Sequence, residues 1–145
     1  RGTSGNKIAV ARAMDLASAR GAKKTIPLPV SGAFHASLMM EAEAGLADAV
    51  QALHFNEPKM PVVGNCNSKS LTTAVEIRHE LVNGLCQCVL WKDSVRHIVD
   101  SGVTQFVEFG SGGVLAGLIK RIDRGVKVST VSDTASMRKL AGVEA

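Results

Sequence analysis

The residue best suited to chemistry in this sequence is His35. It lies in the stretch Val30-Ser-Gly-Ala-Phe-His-Ala-Ser-Leu-Met39, a loop with a flexible hinge at Gly32 that leads into a predicted helix over residues 37–53. A histidine at the head of a helix is held by a rigid element and can still reach into a cleft, as a general base for a nucleophile must. Spacing alone does not exclude the plainer interpretation of a capping or surface imidazole. That plainer interpretation is adopted for the other histidines, which have no partner at metal-ligand spacing: His54, His79 and His97.

A second candidate is the glycine turn in Val107-Glu-Phe-Gly-Ser-Gly-Gly-Val-Leu-Ala-Gly-Leu118. Amide groups at a helix N-terminus bind anions, and phosphate is the usual one. A dinucleotide fingerprint would place a third glycine at position 115, which is Leu. The pattern therefore favours a tight strand-to-helix turn and leaves a nucleotide-binding domain that uses Gly110–Gly113 as a weaker rival.

Composition excludes several classes of protein. The 145 residues carry a net charge of +4, but aromatic residues make up 3% and Tyr is absent, so we expect no nucleic-acid partner. No segment approaches eighteen consecutive apolar residues, so no membrane association is expected either. Three cysteines are too few for a disulfide framework and indicate a reducing compartment. We interpret them as buried or half-buried apolar residues: Cys66, Cys86 and Cys88.

The elements that must position these groups follow from periodicity. Apolar spacing predicts a first helix from Ser4 to a stop at Gly21. Thr25–Val30 is a short extended run, which its two prolines confine to a sheet edge or to a strand that breaks off early. Further along, predicted strands alternate with helices, which is the pattern of parallel crossover units and makes the fold class α/β. The predicted strands are residues 61–65, 104–109 and 127–131, and the predicted helices are residues 73–85, 92–102, 114–122 and 134–140. The side chain of Thr73 can cap the first of these helices in a capping box with Glu76, three residues on.

Four motifs together resemble the C-terminal half of the malonyl-CoA:acyl carrier protein transacylases, an acyltransferase family. They occur in the family's order over roughly residues 1–140. In sequence they are Gly-Ala-Phe-His followed by Leu-Met, Pro-Val-Val-Gly-Asn, Val-Leu-Trp-Lys-Asp-Ser-Val, and Glu-Phe-Gly-Ser-Gly-Gly-Val-Leu-Ala-Gly-Leu. The resemblance implies a parallel-sheet, hydrolase-like acyltransferase core over residues 31–145. It also implies that residues 1–30 are the tail of a small ferredoxin-like subdomain.

The resemblance also implies roles for two residues. His35 falls on the family's active-site histidine, which activates a serine for transfer of a malonyl group from coenzyme A to the carrier's phosphopantetheine thiol. The family orients that imidazole by a backbone carbonyl seven residues before the Trp of its Val-x-Trp motif. With Trp91 aligned, the carbonyl belongs to Gly84, where Gln is common. No resident cofactor or metal is implied, because the coenzyme A thioester is a substrate.

The family's serine elbow, Gly-His-Ser-x-Gly, occurs nowhere in the sequence, and neither does any other Gly-x-Ser-x-Gly. We therefore expect the chain to carry the base without the nucleophile, and to associate with a missing N-terminal half or with itself. Malonyl-CoA and acyl carrier protein are the expected partners, in the cytoplasm or a plastid stroma. The alternative is a non-catalytic fragment or split subunit that completes a partner chain.

Overall fold

The computed structural model describes residues 2–142, and the chain divides into one unit up to Val89 and a second unit from Leu90 onward. The predicted subdomain boundary between residues 30 and 31 concerns the complete family fold and stays a prediction. Each unit has its own secondary structure and its own buried residues, so the two are described separately. No helix among the described residues is long and apolar enough to cross a membrane.

The regular secondary structure of the first unit is mostly helical. Its first helix begins where the Asn6 side chain accepts hydrogen bonds from the amides of Ile8 and Ala9, which satisfies donors that a helix start leaves open. A 3-10 turn, Ser37–Met39, runs directly into the second helix, so the predicted helix over 37–53 is present in two parts. In order, the elements are α1 Lys7–Ala19, α2 Met40–Ala52, β1 Val62–Val63, β2 Ser70–Leu71 and α3 Ala74–Asn83.

Helices α2 and α3 pack against each other, and two side chains fasten the segment between them. Arg78 of α3 lies 4.8 Å from the centre of the Phe55 ring and donates a 2.8 Å hydrogen bond to the carbonyl of Leu53. The Glu57 carboxylate accepts a 2.9 Å bond from the amide of Ala74 at the start of α3. These contacts fix the position of α3, which matters below because α3 ends at the candidate site.

Two predicted strands of this unit are wrong. Thr25–Val30 is not a strand among the described residues, since Pro27 and Pro29 lack the amides that a sheet ladder needs. The predicted strand Pro61–Asn65 is reduced to β1, which pairs antiparallel with β2 in a two-residue hairpin, Val62 opposite Leu71. It is therefore no part of a parallel sheet.

The second unit confirms the α/β class. Strands β3 and β4 pair in parallel, from Gln105 opposite Lys127 to Phe109 opposite Val131, and the helix between them makes a strand–helix–strand crossover. Its apolar cluster joins the two strands to two helices around buried Val95, Ile119 and Val126. The bounds of α5 and β4 equal the predicted ones. In order, the elements are α4 Trp91–Asp100, β3 Gln105–Phe109, α5 Val114–Ile122, β4 Lys127–Val131 and α6 Thr134–Ala141.

Candidate active site

The structure brings together the two residues that the sequence singled out, although they are 49 positions apart. The Nδ1 atom of His35 lies 2.7 Å from the carbonyl oxygen of Gly84. A carbonyl only accepts hydrogen bonds, so the contact requires a proton on Nδ1. In neutral His35 the lone pair is therefore on Nε2, and this is the tautomer that a general base acting through Nε2 needs.

The backbone of His35 is also hydrogen-bonded at the same end of α3. Its φ of +62° is in the left-handed region, which only a few per cent of non-glycine residues adopt. A residue in this region costs on the order of 1 kcal/mol or more, and it stays there only when its surroundings fix it. The His35 amide donates a 2.9 Å hydrogen bond to the carbonyl of Leu85. Two consecutive carbonyls, those of Gly84 and Leu85, thus hold the ring and the backbone of one histidine.

The two accepting carbonyls lie at the C-terminal end of α3, where Asn83 is the last helical residue and Gly84 is the C-cap. The last carbonyls of a helix have no partner within the helix, and they carry the partial negative charge of its dipole. At the other end, Thr73 and Glu76 form the predicted capping box, with each side chain bonded to the other residue's backbone amide. Hydrogen bonds from the amides of Thr72 and Thr73 lower the pKa of Glu76. The capping box therefore fixes where α3 begins.

Gly84 itself has ordinary helical angles, φ −58° and ψ −21°. Glycine's freedom is therefore not needed for this conformation. An added Cβ would lie 3.1 Å from the carbonyl oxygen of Glu80, a contact that a shift of a few tenths of an ångström relieves. The departure from the family's common Gln leaves the hydrogen-bonding carbonyl in place.

Sequence reasoning missed the role of Glu108 at the glycine turn. Its two carboxylate oxygens accept hydrogen bonds from the amides of Leu115 (3.1 Å) and Ala116 (2.9 Å) in the first turn of α5. A carboxylate of the chain itself thus occupies donors that a bound phosphate would use. This contact argues against the rival nucleotide site at Gly110–Gly113. The signal available in the sequence was an acidic residue two positions before a glycine turn into a helix.

The cysteines divide by environment. Cys66 and Cys86 are half-buried, but Cys88 is exposed, so the expectation that all three are buried or half-buried is wrong for Cys88. Burial, followed by the neighbouring charge of Glu80, raises the pKa of the Cys66 thiol to about 11. Burial, followed by the charge of Glu43, raises the pKa of Cys86. High pKa values keep both thiols protonated and unreactive near neutral pH.

The described residues include no group of three or more His, Cys, Asp or Glu side chains that could hold a metal ion. The serines nearest to His35 in sequence are Ser31 and Ser37, and neither occurs in the Gly-x-Ser-x-Gly context of an activated nucleophile. Among the described residues, the site therefore consists of a histidine and the two carbonyls that hold it.

Comparison with known proteins agrees in sequence and in fold. The malonyl CoA-acyl carrier protein transacylase of Bacillus subtilis (strain 168) is 37% identical over 130 residues, which is 90% of this chain and 41% of the relative. The enzyme of Staphylococcus aureus (strain COL) is 36% identical over 128 residues, 88% of this chain and 42% of the relative. No protein-family profile matches the chain.

Solved structures give the same result. The acyl carrier protein S-malonyltransferase of Vibrio cholerae superposes with a TM-score of 0.88 and 38% identity, covering 94% of this chain and 44% of that one. A type II polyketide synthase acyl carrier protein in complex with its malonyl-transacylase matches with a TM-score of 0.89 and 42% identity, covering 95% and 45%. The chain thus spans less than half the length of these relatives. In sequence and in fold, nine-tenths of the chain matches malonyl-CoA:acyl carrier protein transacylases and corresponds to a C-terminal portion of them.

Proposed function

We propose that this chain supplies the general base of a malonyl-CoA:acyl carrier protein transacylase, and that His35 is that base. The observation that carries the proposal is the 2.7 Å contact between Nδ1 of His35 and the carbonyl of Gly84, which leaves Nε2 as the proton acceptor. The similarity to transacylases over about nine-tenths of the chain supports the choice of reaction.

In the proposed reaction, a serine hydroxyl attacks the thioester carbonyl of malonyl-CoA and gives its proton to Nε2 of His35. The bond from carbonyl carbon to sulfur then breaks, and the coenzyme A sulfur takes that proton as it leaves. The phosphopantetheine thiol of the carrier protein repeats the sequence on the malonyl-serine ester. The Gly84 carbonyl stabilises the positive imidazolium at each step, since its oxygen carries partial negative charge at the end of α3.

The serine must come from outside these 145 residues, because they contain no nucleophile elbow. Large apolar side chains also lie exposed in both units of the chain, including Ile26, Leu28 and Val30 in the extended run and Phe109 at the end of β3. Exposed apolar side chains in such number are typical of surfaces that another segment covers. We propose that the remaining segment of the transacylase covers them, and that the chain by itself self-associates.

The test is reconstitution. The chain is mixed with a segment of the transacylase that carries the serine elbow, and malonyl transfer from malonyl-CoA to acyl carrier protein is measured. His35→Ala should lower the rate by about 10²–10⁴, the usual contribution of a general base. His54→Ala is the matched control, because that imidazole contacts only Asn56 among its described hydrogen bonds, at 3.2 Å.

Two outcomes would contradict the proposal. A loss of less than threefold in His35→Ala would remove His35 from the mechanism. A stoichiometric mass increase of one malonyl group on a serine of the chain alone, after incubation with malonyl-CoA, would show that the nucleophile is present after all.

A further inference from the structure

The peptide group that joins Phe34 to His35 is held at both of its polar atoms. Its N–H, which belongs to His35, donates to the carbonyl of Leu85 at 2.9 Å. Its C=O, which belongs to Phe34, accepts a 2.6 Å hydrogen bond from the hydroxyl of Ser4. The first of these contacts comes from the end of α3, and the second comes from the segment that precedes α1.

This peptide group decides where the His35 ring lies, because rotation of the peptide plane changes φ of His35 directly. The left-handed φ of +62° is unfavourable for a side chain with a Cβ, so the peptide plane tends to rotate toward ordinary values unless both ends are held. Holding the amide alone leaves the plane free to pivot about that hydrogen bond. A second contact on the carbonyl removes this freedom.

We infer that Ser4 is a positioning residue for the proposed general base, because its hydroxyl fixes the Phe34–His35 peptide plane from the side opposite α3. The inference rests on the proposed function of His35. The hydrogen bond described for Ser4 goes to the Phe34 carbonyl, so its effect on the imidazole passes through the backbone of the loop. The place of Ser4 is itself set by the start of α1, where Asn6 caps the helix.

The test measures hydrogen exchange of the His35 amide by mass spectrometry with single-residue fragmentation, in the 145-residue chain. Ser4→Ala should speed exchange at His35 about fivefold, the factor for loss of one hydrogen bond of ordinary net strength. The amide of Gly84, which donates to Glu80 within the end of α3, should be unchanged. Ser4→Thr keeps the hydroxyl and should restore the exchange rate of the parent.

Ser18→Ala is the matched control. It removes a serine hydroxyl that contacts Thr25 at 3.2 Å in the same unit, and it should leave exchange at His35 unaltered. Unchanged exchange at His35 in Ser4→Ala would overturn the inference. A uniform rise at all amides of α3 would overturn it as well, because Ser4 would then support general stability. Failure of Ser4→Thr to restore the parent rate would exclude the hydroxyl as the cause.

Activity separates this inference from the proposed function. In the reconstituted enzyme, Ser4→Ala should lower kcat about fivefold while KM for malonyl-CoA is unchanged, since a misplaced base affects the chemical step and not substrate binding. An unaltered kcat together with faster exchange would contradict the positioning role. If His35→Ala keeps full activity, the proposed function fails, whereas the exchange result at His35 still decides whether Ser4 holds the loop.

Discussion

A proline at position 84 tests the backbone role of that residue most directly. The amide of Gly84 donates a 2.9 Å hydrogen bond to the carbonyl of Glu80, and proline has no amide proton to replace it. The proline ring also collides with that same carbonyl four residues back, and it disfavours the helical conformation that Asn83 has in α3. Gly84→Pro should therefore lower the free energy of unfolding by about 3 kcal/mol.

The matched variant is Gly84→Gln, which adds a side chain and keeps the amide. Its Cβ would lie 3.1 Å from the Glu80 carbonyl oxygen, so the backbone must shift by a few tenths of an ångström. Loss of glycine's freedom in the unfolded chain favours the variant by about 0.4–1 kcal/mol and offsets this crowding. We expect a net change below about 1 kcal/mol in the free energy of unfolding.

Urea unfolding, followed by far-ultraviolet circular dichroism at one fixed protein concentration, measures both variants, because association would make the midpoint depend on concentration. Hydrogen exchange of the His35 amide gives the local readout. Gly84→Pro should speed this exchange, whereas Gly84→Gln should not. Equal destabilisation by both variants would refute the reasoning, since the loss of stability would then come from side-chain bulk and not from the backbone. An unchanged exchange rate of the His35 amide in Gly84→Pro would mean that contacts other than those at the end of α3 hold the histidine.

Three further predictions concern the elements around the site. Glu108→Ala should lower the free energy of unfolding by about 1–2 kcal/mol in urea melts, because the amide of Leu115 loses its carboxylate partner, and Glu108→Gln should lose less. The pKa of Glu76 in the folded chain lies below its ordinary value of 4.5. Its carboxylate therefore contributes to the free energy of unfolding above pH 4.5, and this contribution is lost as pH falls through the lower folded pKa. In Glu76→Gln, the free energy of unfolding measured in acid should therefore depend less on pH. At pH 8, iodoacetamide should modify exposed Cys88 before Cys66. The pKa of about 11 lowers the thiolate fraction of Cys66 about a hundredfold relative to a thiol with the ordinary pKa of 9.0. Equal modification rates of the two cysteines, measured by peptide mass, would contradict this.

Local signals in the sequence predicted local structure well. The capping box of Thr73 and Glu76 needs only residues three positions apart, and it places the start of α3 correctly. The bounds of α5 follow in the same way from the glycines before it and the end of its apolar stripe. Each of these features is encoded within one or two turns of chain, so spacing alone determines it.

Strand pairing was predicted less well, because it joins residues that are distant in the chain. The apolar run Pro61–Asn65 fits a buried parallel strand by composition, but its partner is the nearby Ser70–Leu71 and the pairing is antiparallel. No pattern within residues 61–65 specifies that partner. The alternation of Thr25–Val30 likewise favours a strand, yet a ladder needs amides that two of its residues lack.

The candidate site shows the same division between local and non-local information. A backbone carbonyl has no residue-type signature, so nothing in the sequence around Gly84 marks it, and only the resemblance to a family drew attention to it. The requirement is instead on the geometry of α3, whose end places two carbonyls that have no partner inside the helix against His35. Substitutions that move the end of α3 should therefore disturb the imidazole more than side-chain changes at position 84 do. A histidine held in this way depends on where a helix stops, and α3 stops at Asn83, directly before the two carbonyls that hold His35.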